Sequence, residues 1–411
     1  NSPSSLTTLT LGEGMEEIGN TAFASCSLTS VNIPSTLTTL SETAFQDNAG
    51  GQVKLYTSNA AHLEETPTFV PESSGHKVIY SNLIGTGWAY DDFTFEGSVL
   101  TGWSEKGNET RLQNKTLVLP VQNPDTGEAI TEIGENAFKI PDDEIEQKDS
   151  VSSPNGMETV VIPDTVTKIG KKAFEYNNFT EATFGSAVTE IGESAFHGNK
   201  LTTVVIPDNV TTLGSGAFSM NDITSLTLSR GVTVIPQGAF SMNIRLEQIE
   251  IPDTVTEIGD MAFAGARLTS LDIPESVVKI GRKAFHLHHL TELTIPGNVK
   301  EIGESAFEGT FKAITLKSLT LEEGIESIGR YAFKEGYLET VQLPSSLKEM
   351  GEEPFYGNAG VDGDHVVVCY TSNKAHLEFG DSASHKIVYV PGTVGSFTDV
   401  STEDWFYDSI K

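Results

Sequence analysis

The sequence predicts a solenoid of short β-strands and turns. Three observations predict it: a dipeptide that recurs at a fixed interval, apolar slots that repeat within each interval, and a chain too long for one ordinary core. Ala-Phe recurs with its ring at Phe23, Phe45, Phe138, Phe174, Phe196, Phe218, Phe240, Phe263, Phe285, Phe307 and Phe333, and Phe355 continues the series with Pro354 in the alanine slot. Most intervals are 22 residues; the exceptions are 23, 26, 36 and one of 93. A period of this size marks stacked units that share one continuous core. At 411 residues the alternative is several separate domains, and unrelated strands would not carry the same residue at each slot.

A clean unit reads LTTVVIPDNVTTLGSGAFSMND from Leu201, followed by LTSLDIPESVVKIGRKAFHLHH from Leu268 and LTELTIPGNVKEIGESAFEGTF from Leu290. Leu201, Val204 and Ile206 share one side of a short strand, while Thr203 and Val205 point the other way. Pro207-Asp208 ends the strand, since proline has no N–H for a ladder. Val210 and Leu213 re-enter the core, Gly214 is expected to permit a tight bend, and Ala217-Phe218 closes the coil, the small residue leaving room for the ring.

A second duplication marks ends. Phe45-Gln46-Asp47-Asn48-Ala49-Gly50, YTSNAAHLEE from Tyr56 and HKVIY from His76 match Phe355-Tyr356-Gly357-Asn358-Ala359-Gly360, YTSNKAHLEF from Tyr370 and HKIVY from His385. Both blocks follow the last Ala-Phe unit of a run. Residues 46–80 and 356–390 therefore read as C-terminal caps that shield the last coil, with a short helix in Ser-Asn-x-Ala-His-Leu-Glu capped by Ser or Asn. A first array ends over 1–80, with Asn1 falling mid-array so that the chain reads as a piece of a longer protein. Residues 81–137 open a second array with a β-rich N-terminal cap around Trp88 to Pro120. The second array runs over 138–355 and its cap over 356–390, and 391–411 is a linker with a further short segment. The acidic, turn-forming stretch 139–156 explains the 36-residue interval as a loop.

The pattern LxxVxIPxxVxxIGxxAF, in register over most of 1–355, resembles the BspA-like subfamily of leucine-rich repeats found on bacterial surface proteins. The resemblance implies a leucine-rich-repeat solenoid, right-handed, of mainly short β-strands with turns and short helical or 3-10 segments, in two capped arrays. It further implies an exported, non-enzymatic adhesion or recognition protein of the bacterial cell surface or wall, binding protein or glycan ligands on host or bacterial surfaces, with no catalytic residues and no cofactor. FTDVSTEDWFYDSIK, from Phe397 to Lys411, resembles the opening of an S-layer homology domain, which implies anchorage to cell-wall polymer through a region beyond this fragment. A passive spacer that holds other domains off the wall is the alternative reading.

Charge and motif content narrow the classes. With 26 basic against 57 acidic residues the formal charge is −31; nucleic acid and anionic lipid are repelled. No apolar run has the length of a membrane helix, and Cys26 and Cys369 make no disulfide framework or metal motif. No GxSxG, HExxH or P-loop occurs. The slot three after each ring holds Cys26, Asn48, Asn177, Asn199, Asn221, Asn243, Ala266, His288, Gly336 and Asn358, a turn position where an amide satisfies backbone groups between coils. Cys26 and His288 thereby read as structural, Cys369 in the slot of Leu55 as a buried thiol, and His62/His76 and His376/His385 as cap packing. The cluster His286, His288, His289 lacks a carboxylate partner set for a metal. Asp142-Asp143-Glu144 and Asp362-Gly363-Asp364 do not follow a calcium-loop spacing.

The outward strand positions form a Thr-rich, mildly acidic strip without aromatic or Arg residues, from Thr159/Val161 to Thr340/Gln342. Tight interfaces favour Trp, Tyr and Arg. The candidate partner-binding residues are therefore the aromatics Trp88, Tyr90 and Trp103 at the edge of the second array, together with Glu181, Glu250, Asp272 and Glu292 of the strip; the insertion 139–156 is a further locus.

Overall fold

The structure, a computed structural model, describes residues 6–141, 157–309, 316–358 and 366–391. Most of the 139–156 insertion, the Asp362-Gly363-Asp364 run and the S-layer-like segment lie outside these residues. The chain divides into two compact units, Asn1–Ala217 and Phe218–Lys411.

Both units are built of parallel strand ladders, most coils contributing one strand to each; the coils at 246–251 and 268–273 contribute only to the short-strand ladder. In the first unit Thr116–Val118, Thr159–Val161 and Glu181–Thr183 pair in register. A second ladder runs through Glu132–Ile133, Lys168–Ile169, Glu190–Ile191 and Thr212–Leu213. Its start is an antiparallel hairpin, Phe93–Glu96 against Val99–Trp103, beside a short helix, Glu105–Thr110, whose Gly107 N–H is taken by the Ser104 hydroxyl. In the second unit a six-strand ladder joins Val234–Ile235, Glu257–Ile258, Lys279–Ile280, Glu301–Ile302, Ser327–Ile328 and Glu349–Met350.

The sequence reading contains only the first kind of ladder. The second is made of two-residue strands, too short for a period of two to show. The turn between the ladders is fixed by proline: the carbonyl of Pro163, Pro207, Pro252, Pro274 and Pro296 accepts the N–H three residues on, at 2.9–3.1 Å.

The Ala-Phe corner is packed ring on ring. The rings are buried and stack face to face on those of adjacent coils: Phe138, Phe174 and Phe196 at 5.4 and 5.1 Å in the first unit, and Phe218 through Phe355 at 5.2–5.9 Å in the second. Where another Ala-Phe coil follows, the Phe N–H donates to its alanine carbonyl, as from Phe263 to Ala284 (2.8 Å). Pro354 is tolerated in the alanine slot because that carbonyl suffices: Phe333 N–H reaches Pro354 O at 2.8 Å.

Three residues after the ring, asparagine ties coils together. Asn243, fully buried, donates from Nδ2 to Phe218 O (3.0 Å) and Phe240 O (2.8 Å), and its Oδ1 accepts Ile223 N–H (3.3 Å). Asn48, Asn199 and Asn358 make the same three bonds in their own coils. His288 fills this slot differently. Its Nε2 donates to Phe307 O (3.0 Å), and its Nδ1 accepts Leu290 N–H (3.0 Å). Burial pushes its pKa down to about 4, and protonation would remove the acceptor.

Two local expectations change. Gly214 does not bend the chain; a Cβ there would lie 2.2 Å from Glu193 N and 2.3 Å from Gly192 C. Glycine is required because consecutive coils touch at this slot. The bends lie two residues before and two after the ring, in the left-handed region and mostly without glycine: Lys172 (φ 55°) and Tyr176 (58°) about Phe174, Lys283 (56°) and Leu287 (69°) about Phe285. Non-glycine residues adopt this conformation at a cost of about 1–2 kcal/mol. All four N–H groups then donate to the next coil at 2.8–2.9 Å, which offsets it.

The caps are strand pairs with a short helix between. Val53–Thr57 pairs with His76–Tyr80, and Val367–Thr371 with His385–Tyr389. The helices, Ala60–Leu63 and Lys374–Phe379, are 3-10, with Asn59 and Asn373 as N-caps. Thr57 Oγ1 lies 2.8 Å from His62 Nδ1, and Thr371 Oγ1 lies 2.6 Å from His376 Nδ1. Val341, Cys369 and Ile387 stand in register, Cys369 with no exposed surface and its thiol pushed up to about 12 by burial.

Replacing Asn243 by Ala strands two carbonyls and one N–H, and is expected to cost about 3 kcal/mol in chemical denaturation. Lys283→Gly should gain roughly 0.5 kcal/mol, whereas Gly238→Ala (φ 61°) should lose about 1 kcal/mol. His288 is neutral in both states above its ordinary pKa of 6.5. Below it the unfolded chain takes up a proton that the folded chain refuses, so stability falls as pH drops from about 6.5 toward 4, by up to about 1.4 kcal/mol per unit. His288→Gln should shrink the fall in thermal midpoint between pH 7.5 and 5; an unchanged fall would exclude this origin.

Candidate recognition surface

The strand ladders fix which side chains face solvent. Since alternate residues of a strand point oppositely, Val204, Leu293 and Val341 are buried while Thr203, Val205, Glu292, Thr294, Thr340 and Gln342 are exposed. Glu181 belongs to this face in the first unit. In the second unit Glu250, Asp272 and Glu292 lie on three successive coils and are all exposed. Glu250 and Asp272 occupy the same slot, and Glu292 occupies the neighbouring slot, that of Ser270 in the coil before it. None of these four carboxylates makes an ion pair among the described residues.

The short-strand ladder treats its acids differently. Lys168 meets Glu132 at 3.0 Å, and Lys279 stands 3.6 and 4.0 Å from Glu257 and Glu301. Both lysines of this ladder are thus engaged by its acids. The face bearing those four carboxylates thus carries unpaired negative charge on successive coils, among hydroxyl groups; Glu181 and Glu292 stand in paired strands, whereas Glu250 and Asp272 lie on coils that add no strand beside them. Such a face can take up cations or hydrogen-bond donors.

The aromatic edge is differently made from its sequence reading. Trp88 is 5% exposed and Tyr90 4%. The Trp88 indole donates to Thr116 O (2.6 Å), and its ring packs on Trp103 (5.2 Å) and Phe93 (5.7 Å). Trp103 is half-buried against Phe93 and the edge of Phe138, with its Nε1 unpartnered. Tyr90 donates its hydroxyl to Tyr80 O (2.9 Å). Trp88 and Tyr90 are core residues of the hairpin, so neither presents a ring to a partner. They close the first coil of the ladder, a task that only large side chains fill.

The structure also exposes a surface that the sequence reading missed. Met220, Met242, Ile244 and Leu287 are exposed beside the corner of the second unit, three of them at left-handed φ of 54–69°. For Met220, Met242 and Leu287 the signal is the slot two after the ring, recognisable only once that slot is known to point outward. Among the described residues no three His, Cys, Asp or Glu side chains come together to hold a metal ion, and no helix is long and apolar enough to cross a membrane.

Six copies of the BspA type Leucine rich repeat region match residues 1–64, 148–266 and 308–362. Among solved structures the chain is similar to a leucine-rich repeat protein from Bacteroides ovatus, at 18% identity over 72% of this chain and 97% of that one, TM-score 0.39. It is also similar to the pneumococcal vaccine antigen PcpA, at 19% identity over 95% and 90%, TM-score 0.40. A leucine rich cell surface protein from Faecalibacterium prausnitzii matches at 21% identity over 73% and 93%, TM-score 0.39. No curated protein matches the chain. With six copies in register over more than half its length, the chain belongs to the BspA-type leucine-rich-repeat family.

Proposed function

We propose that the protein is a non-enzymatic adhesion module of a bacterial cell surface, and that the strand face of the second unit is where it meets its partner. The observation that carries this reading is the run of exposed, unpaired carboxylates Glu250, Asp272 and Glu292 among Ser and Thr side chains on successive coils. Family membership supports the extracellular location, and the S-layer-like residues 397–411 support attachment to cell-wall polymer.

The partner this face fits is a protein with clustered Lys or Arg, or a glycan rich in hydroxyl donors, on a host or bacterial surface. Each contact is weak; several coils engaged at once make the binding additive. The Thr-rich composition is also what a passive spacer would carry, because Thr rows stabilise adjacent strands.

The test is solid-phase binding of the full chain to matrix proteins, glycan arrays and bacterial cells. For a partner so found, Glu250→Lys/Asp272→Lys/Glu292→Lys should weaken binding by at least about tenfold, and added salt should weaken the unmodified chain in the same direction. A triple variant that binds as well as the parent removes the strand face as the site. Absence of binding to every surface favours the spacer.

A further inference from the structure

The two caps are copies whose surroundings differ. In each, five residues of one strand pair in parallel with five of the next, and the registers match: Tyr56 opposite Ile79 in the first, Tyr370 opposite Val388 in the second. Each second strand is the last of its sheet and ends in tyrosine, Tyr80 or Tyr389. An edge strand leaves polar groups for another segment to satisfy.

In the first cap the chain that follows does so. The Tyr90 ring lies 4.9 Å from Tyr56, and its hydroxyl donates to Tyr80 O at 2.9 Å. Gln122 Nε2 donates to the same carbonyl at 3.0 Å, and Lys54 pairs with Asp125. Under this cover Ile79 is buried, Tyr80 and Lys77 are half-buried, and burial raises the phenol of Tyr56 far above its ordinary pKa.

The second cap is open at the same three places. Val388 is half-buried where Ile79 is buried, and Lys386 and Tyr389 are exposed where Lys77 and Tyr80 are not. The sequence supplies an occupant. Of three tryptophans in the chain, Trp88 opens Trp88-Ala89-Tyr90-Asp91-Asp92-Phe93, the segment that covers the first cap. Trp405 opens Trp405-Phe406-Tyr407-Asp408-Ser409-Ile410, with Trp, Tyr, Asp and a final apolar residue at the same spacing. The tether from Tyr389 is longer than that from Tyr80, which relaxes its reach. Lys386 is exposed, and the sequence around Trp405 is rich in acid, with Glu403, Asp404 and Asp408, so the charges are complementary.

We propose that residues 405–410 dock on the outer strand of the second cap, Tyr407 taking the part of Tyr90 and donating its hydroxyl to Tyr389 O. The segment is then seated on the array and not strung from it. This docking stands whether or not the segment opens a wall-anchoring domain, so its fate is separate from that of the adhesion reading.

Amide hydrogen exchange on the full 411-residue chain decides it, following the peptide over 385–391, with 76–81 of the first cap as the internal reference for folding. Tyr407→Ala and Trp405→Ala should each speed exchange of 386–390 by at least about tenfold and leave 76–81 unchanged. Exchange at the parent rate in both variants overturns the proposal. Protection that rises with protein concentration also overturns it, by assigning the face to a second copy.

Discussion

Consecutive coils in this protein meet through backbone, and the rest of the structure follows from keeping that contact intact. At Gly192, Gly214, Gly281 and Gly303 the chain passes so close to the coil before it that a Cβ would sit within about 3 Å of backbone atoms. Seven residues on from the glycine slot, as at Asn199 and Asn221, the buried turn leaves carbonyls and an N–H with no strand to pair with. A buried amide at that turn satisfies two carbonyls and one N–H, as Asn243 does. The stacked rings fill the space between these two rows. The three are not interchangeable: the glycine sets the distance, the ring fills it, and the amide closes its polar account.

This division explains what the sequence makes legible. The Phe, Asn and Val/Ile/Leu slots are conspicuous because chemistry there admits few residues. Left-handed slots are invisible because the backbone demand is met by geometry and lateral hydrogen bonds, so Lys, Ser, Met, Tyr and Leu all occur. The short-strand ladder hides for a related reason: Glu132–Ile133 or Lys279–Ile280 carries one buried and one outward residue, a pattern any turn could show. Gly214 was assigned a bend because glycine usually signals positive φ, whereas its real constraint comes from a residue 22 positions away. Trp88 and Tyr90 read as a binding edge in the sequence and pack as hairpin core in the fold, because both settings use the same residue types; only the partners, Thr116 O and Tyr80 O, separate them.

The same economy determines which surfaces are free to evolve. Slots bound to neighbouring coils cannot vary without loss of packing, but outward strand positions and the residues beside the corner can. On the outward strand face this freedom is used for hydroxyls and unpaired acids. At Met220, Met242 and Leu287 it is used for exposed apolar chains on left-handed backbone. In the short-strand ladder the lysines are set against neighbouring acids, Lys279 between Glu257 and Glu301.

Ends are where a stack of this kind is weakest, since the last coil has bonds to offer and no coil to receive them. The caps answer with a different chemistry. Imidazoles replace amides: His62 and His376 against threonine hydroxyls, His76 donating to Val70 O, all held low in pKa chiefly by burial. A histidine buried neutral serves a cap well at neutral pH and poorly in acid, because it must charge as the chain opens. An acid-labile end need not unravel the array, however, if the next segment covers it. In the first cap Tyr90, Gln122 and Asp125 do so, and the hairpin that carries them is itself locked by the Trp88–Phe93–Trp103 cluster. The chain that follows the first strand pair thus covers it, and Trp88 and Tyr90 fasten that contact from inside.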